Sequence, residues 1–502
     1  MEKQTKKITR NAAFDTGDPK PSWMILAFLC LAGFMTFLDV SIVNVSLPTI
    51  EKSLHITESQ LQYIVTAYGT VLGGCLLLSG RLADVFGRRR MLRVGLVVFS
   101  IASLTAGISQ GALVLIVARA IQGLGAAFIA PAALSLLTTT FTQSKARAQA
   151  LGVWGGMSGL ASVVGVVLGG LLTEGPGWRW IFFINVPIGL AAALVAPRVA
   201  PESKNTEQGE RFDLIGAITL TTGLLLCIYT LGQTTTWGWD SLKTIGGLAG
   251  AIGILFVFWL NERHTKSPLV PFSVFRHRTI QRANLAALCM LGTLVTLFFF
   301  ASLYMQQVLG YSPARTGLAY VPIAVIISVG AGISQGLVRK APVKPVLLTG
   351  LSLLIIGMVL LWHTPIHASY LKDILPAFLT AGLGIGLSFV PIQIMAFRHV
   401  DEPHSGIASG LINTSQEFGG VLGLAIAASI AFSRIPGLTK WAGGNPQRIL
   451  AARASVFHEA FFLAACFAFI GFLIAFTIRD LRINADAAIP RNSPTPQYRR
   501  PE

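Results

Sequence analysis

Three formally charged side chains, Asp39, Arg119 and Glu417, lie inside long runs of apolar residues. A charge in hydrocarbon costs about 2.5–3.5 kcal/mol on insertion scales, so such groups usually face a protein interior and act on protons, ions or polar ligands. Asp39 shares a helical face with Thr36, Val43 and Ser46. Protonation would make that face neutral and easy to desolvate, as a proton carrier requires; a structural ion pair or a packing hydrogen bond is the alternative. Arginine stays charged at any working pH. Arg119 therefore cannot titrate, yet it can hold a carboxylate ionised until a proton or another cation replaces it, or serve as a structural partner only. Gln122, Gly123 and Ala126 share its face. Glu417 shares one with Asn413 and Gly420, and three roles fit it equally: holding a cationic substrate, acting as a second proton site, or forming a buried hydrogen-bonded pair. Thr36, Asn413 and Glu417 are thus the candidates for a substrate or second-acid site.

The elements that must carry these residues are membrane spans. The chain is 502 residues long, 53% hydrophobic and 12% charged, against about 25% charged in soluble domains, and its mean hydropathy is +0.65. About 20 apolar residues cross a bilayer, and about fourteen segments qualify. Six fall before residue 200, a pair follows at Leu214–Leu231 and Thr244–Leu260, and six more run from Ala283 to Ile478. The net charge of +17 follows from Lys and Arg gathered in short loops. With both termini in the cytoplasm most of these lie inside, so the charge reads as membrane topology and gives no reason to invoke nucleic acid. The basic amino-terminal tail reads as a cytoplasmic lead-in, and the tail from Asn484 as disordered. The five cysteines sit in apolar spans without metal-like spacing and read as small buried hydrophobes.

The chain also repeats itself. Thr57-Glu58-Ser59-Gln60 forms a capping box, and Ser312-Pro313-Ala314-Arg315 starts a helix with proline at its first position. Gly80 through Arg90 has a degraded echo in Gly336-Leu337-Val338-Arg339-Lys340. Two six-span halves with an inserted pair explain this, and duplication of this kind puts a substrate site near the midplane. The expected division is 1–22 tail, 23–200 first bundle, 201–262 linker with two extra spans, 263–483 second bundle and 484–502 tail.

Gly80-Arg81-Leu82-Ala83-Asp84-Val85-Phe86-Gly87-Arg88-Arg89-Arg90 resembles the G-x-L-a-D-r-x-G-r-[RK] loop of the major facilitator superfamily. Leu38-Asp39-Val40-Ser41-Ile42-Val43-Asn44-Val45-Ser46-Leu47-Pro48 is similar to the first-span signature of that superfamily's fourteen-span drug:proton antiporter branch, with Ser41 and Ser46 as mild departures. Trp178 through Gly189 resembles its sixth-span signature almost letter for letter, and the segment around Arg119, Gln122, Gly123 and Gly125 resembles its fourth-span motif. The resemblance implies an all-α integral membrane protein with the major facilitator fold: two six-helix halves, a two-helix insertion and 14 transmembrane helices. It also implies that Asp39 and Arg119 couple protons, and that Gly80, Asp84, Gly87, Arg88 and Arg89 gate the conformational cycle. Asp84 falls near a helix carboxyl end, where the dipole disfavours an anion, so Arg88, Arg89 or the start of another helix must compensate it.

The fifth span resembles the glycine-rich antiporter motif through Gly165, Gly169 and Gly170, but Val166 stands where the motif has proline. Proline would remove a backbone hydrogen bond and kink the helix; valine leaves it straight. The cluster Phe298, Phe299, Phe300 and Tyr304 reads as lipid-facing packing, with a hydrophobic pocket as the alternative.

Other classes fit poorly. There is no G-x-x-x-x-G-K-[ST] loop for a primary pump, no repeated filter segment for a channel, and the short loops are poor in His, Asp and Glu. No catalytic residue, metal or cofactor is expected, and no obligate protein partner. The expectation is a multi-pass protein of the plasma or bacterial inner membrane that exports hydrophobic or cationic drug-like compounds in exchange for protons. The alternatives are a dedicated exporter of an endogenous metabolite such as an antibiotic or siderophore, and a non-transporting sensor.

Overall fold

A computed structural model describes residues 23–141, 144–202, 213–265, 277–397, 405–435, 437, 441 and 445–478. The readings placed on the two tails lie outside the described residues. The described chain is all helix. In order it forms α1 (Trp23–Leu54), α2 (Glu58–Phe86), α3 (Arg88–Gly107), α4 (Ala112–Thr140), α5 (Ser144–Glu174) and α6 (Trp180–Val199, broken at Ile184). Then come α7 (Leu214–Trp237), α8 (Leu242–His264), α9 (Arg278–Leu303), α10 (Pro313–Lys340), α11 (Val343–Trp362), α12 (Tyr370–Phe397), α13 (Ser405–Ser433) and α14 (Pro446–Phe476). Among the described residues, eleven helices are long and apolar enough to cross a membrane. The rest of the bundle is α2, α5 and α7, of 29, 31 and 24 residues.

Local chemistry sets these boundaries. The Thr57 hydroxyl accepts the Gln60 backbone N–H at 3.3 Å while the Gln60 side chain accepts the Thr57 N–H at 2.9 Å, so the capping box forms at α2. Ser312 caps α10 in the same way, with Pro313 at its first turn. Between α2 and α3 the only linking residue is Gly87, at φ 105°, a conformation that disfavours a side chain. The last helix begins at Pro446, well before its continuous apolar run. Asn445 caps it, and its first turns carry Arg448, Arg453, His458 and Glu459, which depress hydropathy without breaking the helix.

The packing repeats with an offset of eight helices. In the first set α1 packs on α5, α2 on α4, α3 on α4 and α3 on α6; in the second α9 packs on α13, α10 on α12, α11 on α12 and α11 on α14. The two sets meet through α5 with α10 and α2 with α13, which the same offset interchanges. Small residues allow these approaches, as expected where lipid removes the hydrophobic drive for helix association. The inserted α7 touches both α2 and α13, and α8 packs on α7 with most of its surface outward. Thr221 on α7 donates to the Gly74 carbonyl of α2 at 2.8 Å, and Thr234 hydrogen-bonds Ser429 of α13. One flank of the seam between the sets is therefore bridged.

The aromatic cluster differs from its reading. Phe299, Phe300 and Tyr304 are fully buried and Phe298 nearly so, so they do not face lipid. Tyr320 supplies the reason: it stacks between Phe298 and Phe378, with centroids 5.0 and 5.4 Å away, and its hydroxyl donates to the Phe298 carbonyl at 2.6 Å. Phe300 and Tyr304 pack on Phe457 of α14. The cysteines are free, and Cys30, Cys75 and Cys289 are buried.

Candidate functional site

Asp39 lies midway along α1 and is wholly excluded from solvent. One carboxylate oxygen pairs with the Arg119 guanidinium of α4, which is 2% exposed. The other accepts from the Gln122 amide at 3.2 Å and the Asn185 amide at 3.1 Å. Arg119 also donates to the Ile64 carbonyl at 3.0 Å and the Gln122 amide oxygen at 3.0 Å, and Gln122 donates to the Ser103 hydroxyl at 2.7 Å. The guanidinium lies over the Tyr68 ring, 4.5 Å from its centroid. Five helices, α1, α2, α3, α4 and α6, thus converge on one ion pair. A buried pair survives only when its remaining donors and acceptors are satisfied, and here two amides do that on the carboxylate oxygen that the arginine leaves free.

The other candidates fall in separate places. The Thr36 hydroxyl donates to the Gly33 carbonyl at 2.8 Å, and the Thr36 carbonyl accepts from Tyr68 at 3.4 Å. Glu417, with Asn413 one turn away, is on α13 and partly buried. It faces α2, where a Cβ on Gly73 would stand 2.8 Å from the Glu417 Cβ, and one on Gly69 would stand 3.9 Å from its Oε2. The two acids therefore lie against different faces of α2.

At the α2–α3 turn the arginines have specific partners. Arg89 pairs with Glu202 at 3.3 Å and donates to the carbonyls of Pro197 at 3.3 Å and Ala200 at 3.1 Å. It ties the start of α3 to the end of α6. Arg88 is half-buried, a Cβ on Gly80 would meet nothing within 4 Å outside its own helix, and the Asp84 side chain lies outside the described residues.

The glycines of α5 are contact points. A Cβ on Gly165 would come 2.9 Å from the Leu38 carbonyl, and one on Gly169 would come 2.6 Å from that of Ile42, both on α1. Gly170 turns to α10, 2.6 Å by the same measure from the Pro313 carbonyl. Val166 is buried, α5 runs through it as one helix, and its carbonyl sits where a Cβ on Gly317 would be, 2.3 Å away. Around this contact the two helix sets are stitched together. Ser302 donates to the Asn44 carbonyl, Gln306 to the Val45 carbonyl and Gln307 to the Glu51 carboxylate, each at 2.8 Å.

Asn185, Ser103 and Tyr68 were missed as site residues. Asn185 had a usable signal: an amide in the apolar run Ile181–Ile188 must find a partner in the interior. Ser103 and Tyr68 had none, since nothing in their spacing distinguishes them from ordinary helix-packing residues.

Comparison with known proteins agrees with this arrangement. The Major Facilitator Superfamily profile matches residues 29–424. The chain is 36% identical over 427 residues to the puromycin resistance protein pur8 of Streptomyces alboniger, covering 84% of each. It is 36% identical to the cephamycin export protein CmcT of Amycolatopsis lactamdurans, covering 82% of this chain and 85% of that one. Its fold resembles a bacterial homolog of the human lysosomal transporter Spinster, solved inward-facing and unoccupied, with a TM-score of 0.65 at 16% identity over 92% of this chain and 97% of that one. The chain belongs to the Major Facilitator Superfamily and is a multi-pass membrane transporter of small molecules, not an enzyme.

Proposed function

We propose that this transporter exports hydrophobic or cationic compounds from the cell in exchange for protons, with Asp39 as the proton-coupling acid and Arg119 as its tuning partner. The observation that carries this reading is the buried Asp39–Arg119 pair, held by Gln122 and Asn185. A carboxylate in such a place is neutralised only by its arginine or by a proton, so protonation frees the arginine and changes how α1 and α4 hold together. Glu417, with Asn413, is the site for the positive end of a substrate or for a second proton, and Thr36 borders the coupling site. Gly80, Asp84, Gly87, Arg88 and Arg89 form the conformational gate. Gly165 and Gly169 seat α5, the antiporter-motif helix, on α1, and Gly170 seats it on α10 of the other half.

All fourteen long helices cross the membrane in this reading, with both termini in the cytoplasm of a plasma or bacterial inner membrane. Residues 23–200 and 263–483 are the two halves, 201–262 carries the inserted pair, and 1–22 and 484–502 are cytoplasmic tails; the repeated packing supports the division. The contacts around Glu51, Glu174 and Gln307 then seal the outer face of the described conformer. Substrate enters with Asp39 ionised, the halves rock outward, and proton uptake releases it. No cofactor or obligate protein partner takes part.

A dedicated exporter of one metabolite is the second reading, favoured by relatives named for resistance to or export of a single antibiotic. Purified protein in liposomes with an internal pH dye separates the two. Proton movement evoked by ethidium and lost in Asp39→Asn supports broad antiport. Silence towards a panel of lipophilic cations sinks it in favour of the dedicated exporter or a sensor.

A further inference from the structure

Helix α2 separates the two acids, and one turn of it touches both. On one side the Tyr68 ring lies under Arg119, its hydroxyl reaches the Thr36 carbonyl, and its own carbonyl closes on Gly123, where a Cβ would stand 2.4 Å away. On the adjacent side Gly69 and Gly73 receive Glu417 from the other helix set. Tyr68 is 3% exposed and adjoins Gly69 in the chain, so the residue that seats Arg119 is next to one that seats Glu417. Asp39 is faced by Arg119 and Gln122 of α4 and Asn185 of α6, with the Tyr68 ring of α2 against the guanidinium. Other helices packed on α13 carry Tyr229, Cys289 and His458, and α2 itself carries Tyr63.

We propose that Tyr68 is a positioning residue that links Glu417 to the Asp39–Arg119 pair, so that a cation at Glu417 and a proton at Asp39 oppose one another across α2. The inference rests on Asp39 being the coupling acid. Both events add positive charge to the same water-poor layer, and Arg119 cannot relieve it by losing its own proton. Tyr68 fixes where that arginine sits, through its ring face and through the Gly123 contact that locks α2 onto α4. A cation at Glu417 therefore keeps Asp39 ionised, and by reciprocity a proton taken up at Asp39 expels the cation. The two sites need not share a ligand for exchange to be obligatory.

The test measures ethidium binding to the purified full-length protein from acid to alkaline pH. Wild type is expected to bind more tightly at alkaline pH, by a factor in the range of about 5 to 150 typical of coupled sites. Tyr68→Leu keeps alkaline affinity but narrows that span several-fold, whereas Tyr68→Phe, which retains the ring, keeps most of it. An unchanged span in Tyr68→Leu overturns the linkage. A span that survives in Asp39→Asn overturns the coupling acid instead, and no binding by wild type overturns the cationic-substrate reading together with the linkage. Should Tyr68→Leu not fold, proton release on ethidium addition decides. Loss of that release in Glu417→Gln, while Asp39 still titrates, supports the linkage, and undiminished release overturns it.

Discussion

Glu174, the last residue of α5, accepts a hydrogen bond at 3.1 Å from the backbone N–H of Ala314 in the first turn of α10. A carboxylate from one helix set thus caps a helix of the other, where the dipole favours an anion by roughly 0.3–1 kcal/mol. Glu174→Gln should shift the population away from the sealed conformer by about two- to fivefold. Distances between spin labels at the adjoining ends of α5 and α10 would report the shift, and an unchanged distribution would mean the cap contributes nothing.

Asp39→Asn is expected to abolish substrate-evoked proton movement and also to destabilise the protein. Removing one partner of a buried pair leaves the other charge uncompensated, at about 3–5 kcal/mol. The double variant Asp39→Asn/Arg119→Gln should recover thermal stability without recovering proton movement. Melting temperature and the liposome assay together check this, since a stable but still coupled double variant would contradict it.

Gly317→Leu should disfavour the sealed conformer, because any side chain there collides with the Val166 backbone carbonyl rather than with a movable side chain. Overpacking of this kind typically costs about 1–3 kcal/mol. The variant is expected to label more readily at Val45→Cys with an impermeant maleimide from the outside, and unchanged labelling would count against it.

Gly80→Ala should behave in the opposite sense. A Cβ on Gly80 would meet nothing within 4 Å outside its own helix backbone, so the described conformer gains about 0.5–1 kcal/mol of helix preference without a clash. If Gly80 meets another helix only when the bundle rocks the other way, transport slows while thermal stability holds or rises. Unaltered transport would remove Gly80 from the gate.

Arg89→Ala should lower the melting temperature more than Glu202→Gln does. The ion pair is partly exposed, and such pairs contribute about 0–1 kcal/mol, whereas Arg89 also satisfies the Pro197 and Ala200 carbonyls at the end of α6. Equal effects would show that the carboxylate dominates.

The helices were legible because apolar length and capping chemistry are local. Thr57, Gln60, Ser312 and Pro313 act within one turn of the boundaries they set. Asp39 and Arg119 stood out because hydrocarbon makes a lone charge conspicuous, and their pairing follows from that cost. The Arg89 partners, Tyr68 beneath Arg119 and the Phe298–Tyr320–Phe378 stack depend on which helix faces which. A linear pattern cannot rank lipid against protein as the neighbour of Phe299 when both are apolar. The start of α14 was hidden for the converse reason, since polar residues in its first turns resemble a loop.

The hydrogen bonds of Thr221 to α2 and of Thr234 to α13 make the two flanks of the bundle unequal. On the α7 side, a compound dissolved in the bilayer meets a third helix laid over the seam. On the α5–α10 side, among the described residues, no inserted helix lies over the two that meet. A solute partitioned into lipid therefore has one shielded approach to the interior and one unshielded one, and its orientation at capture is already restricted before any polar group recognises it.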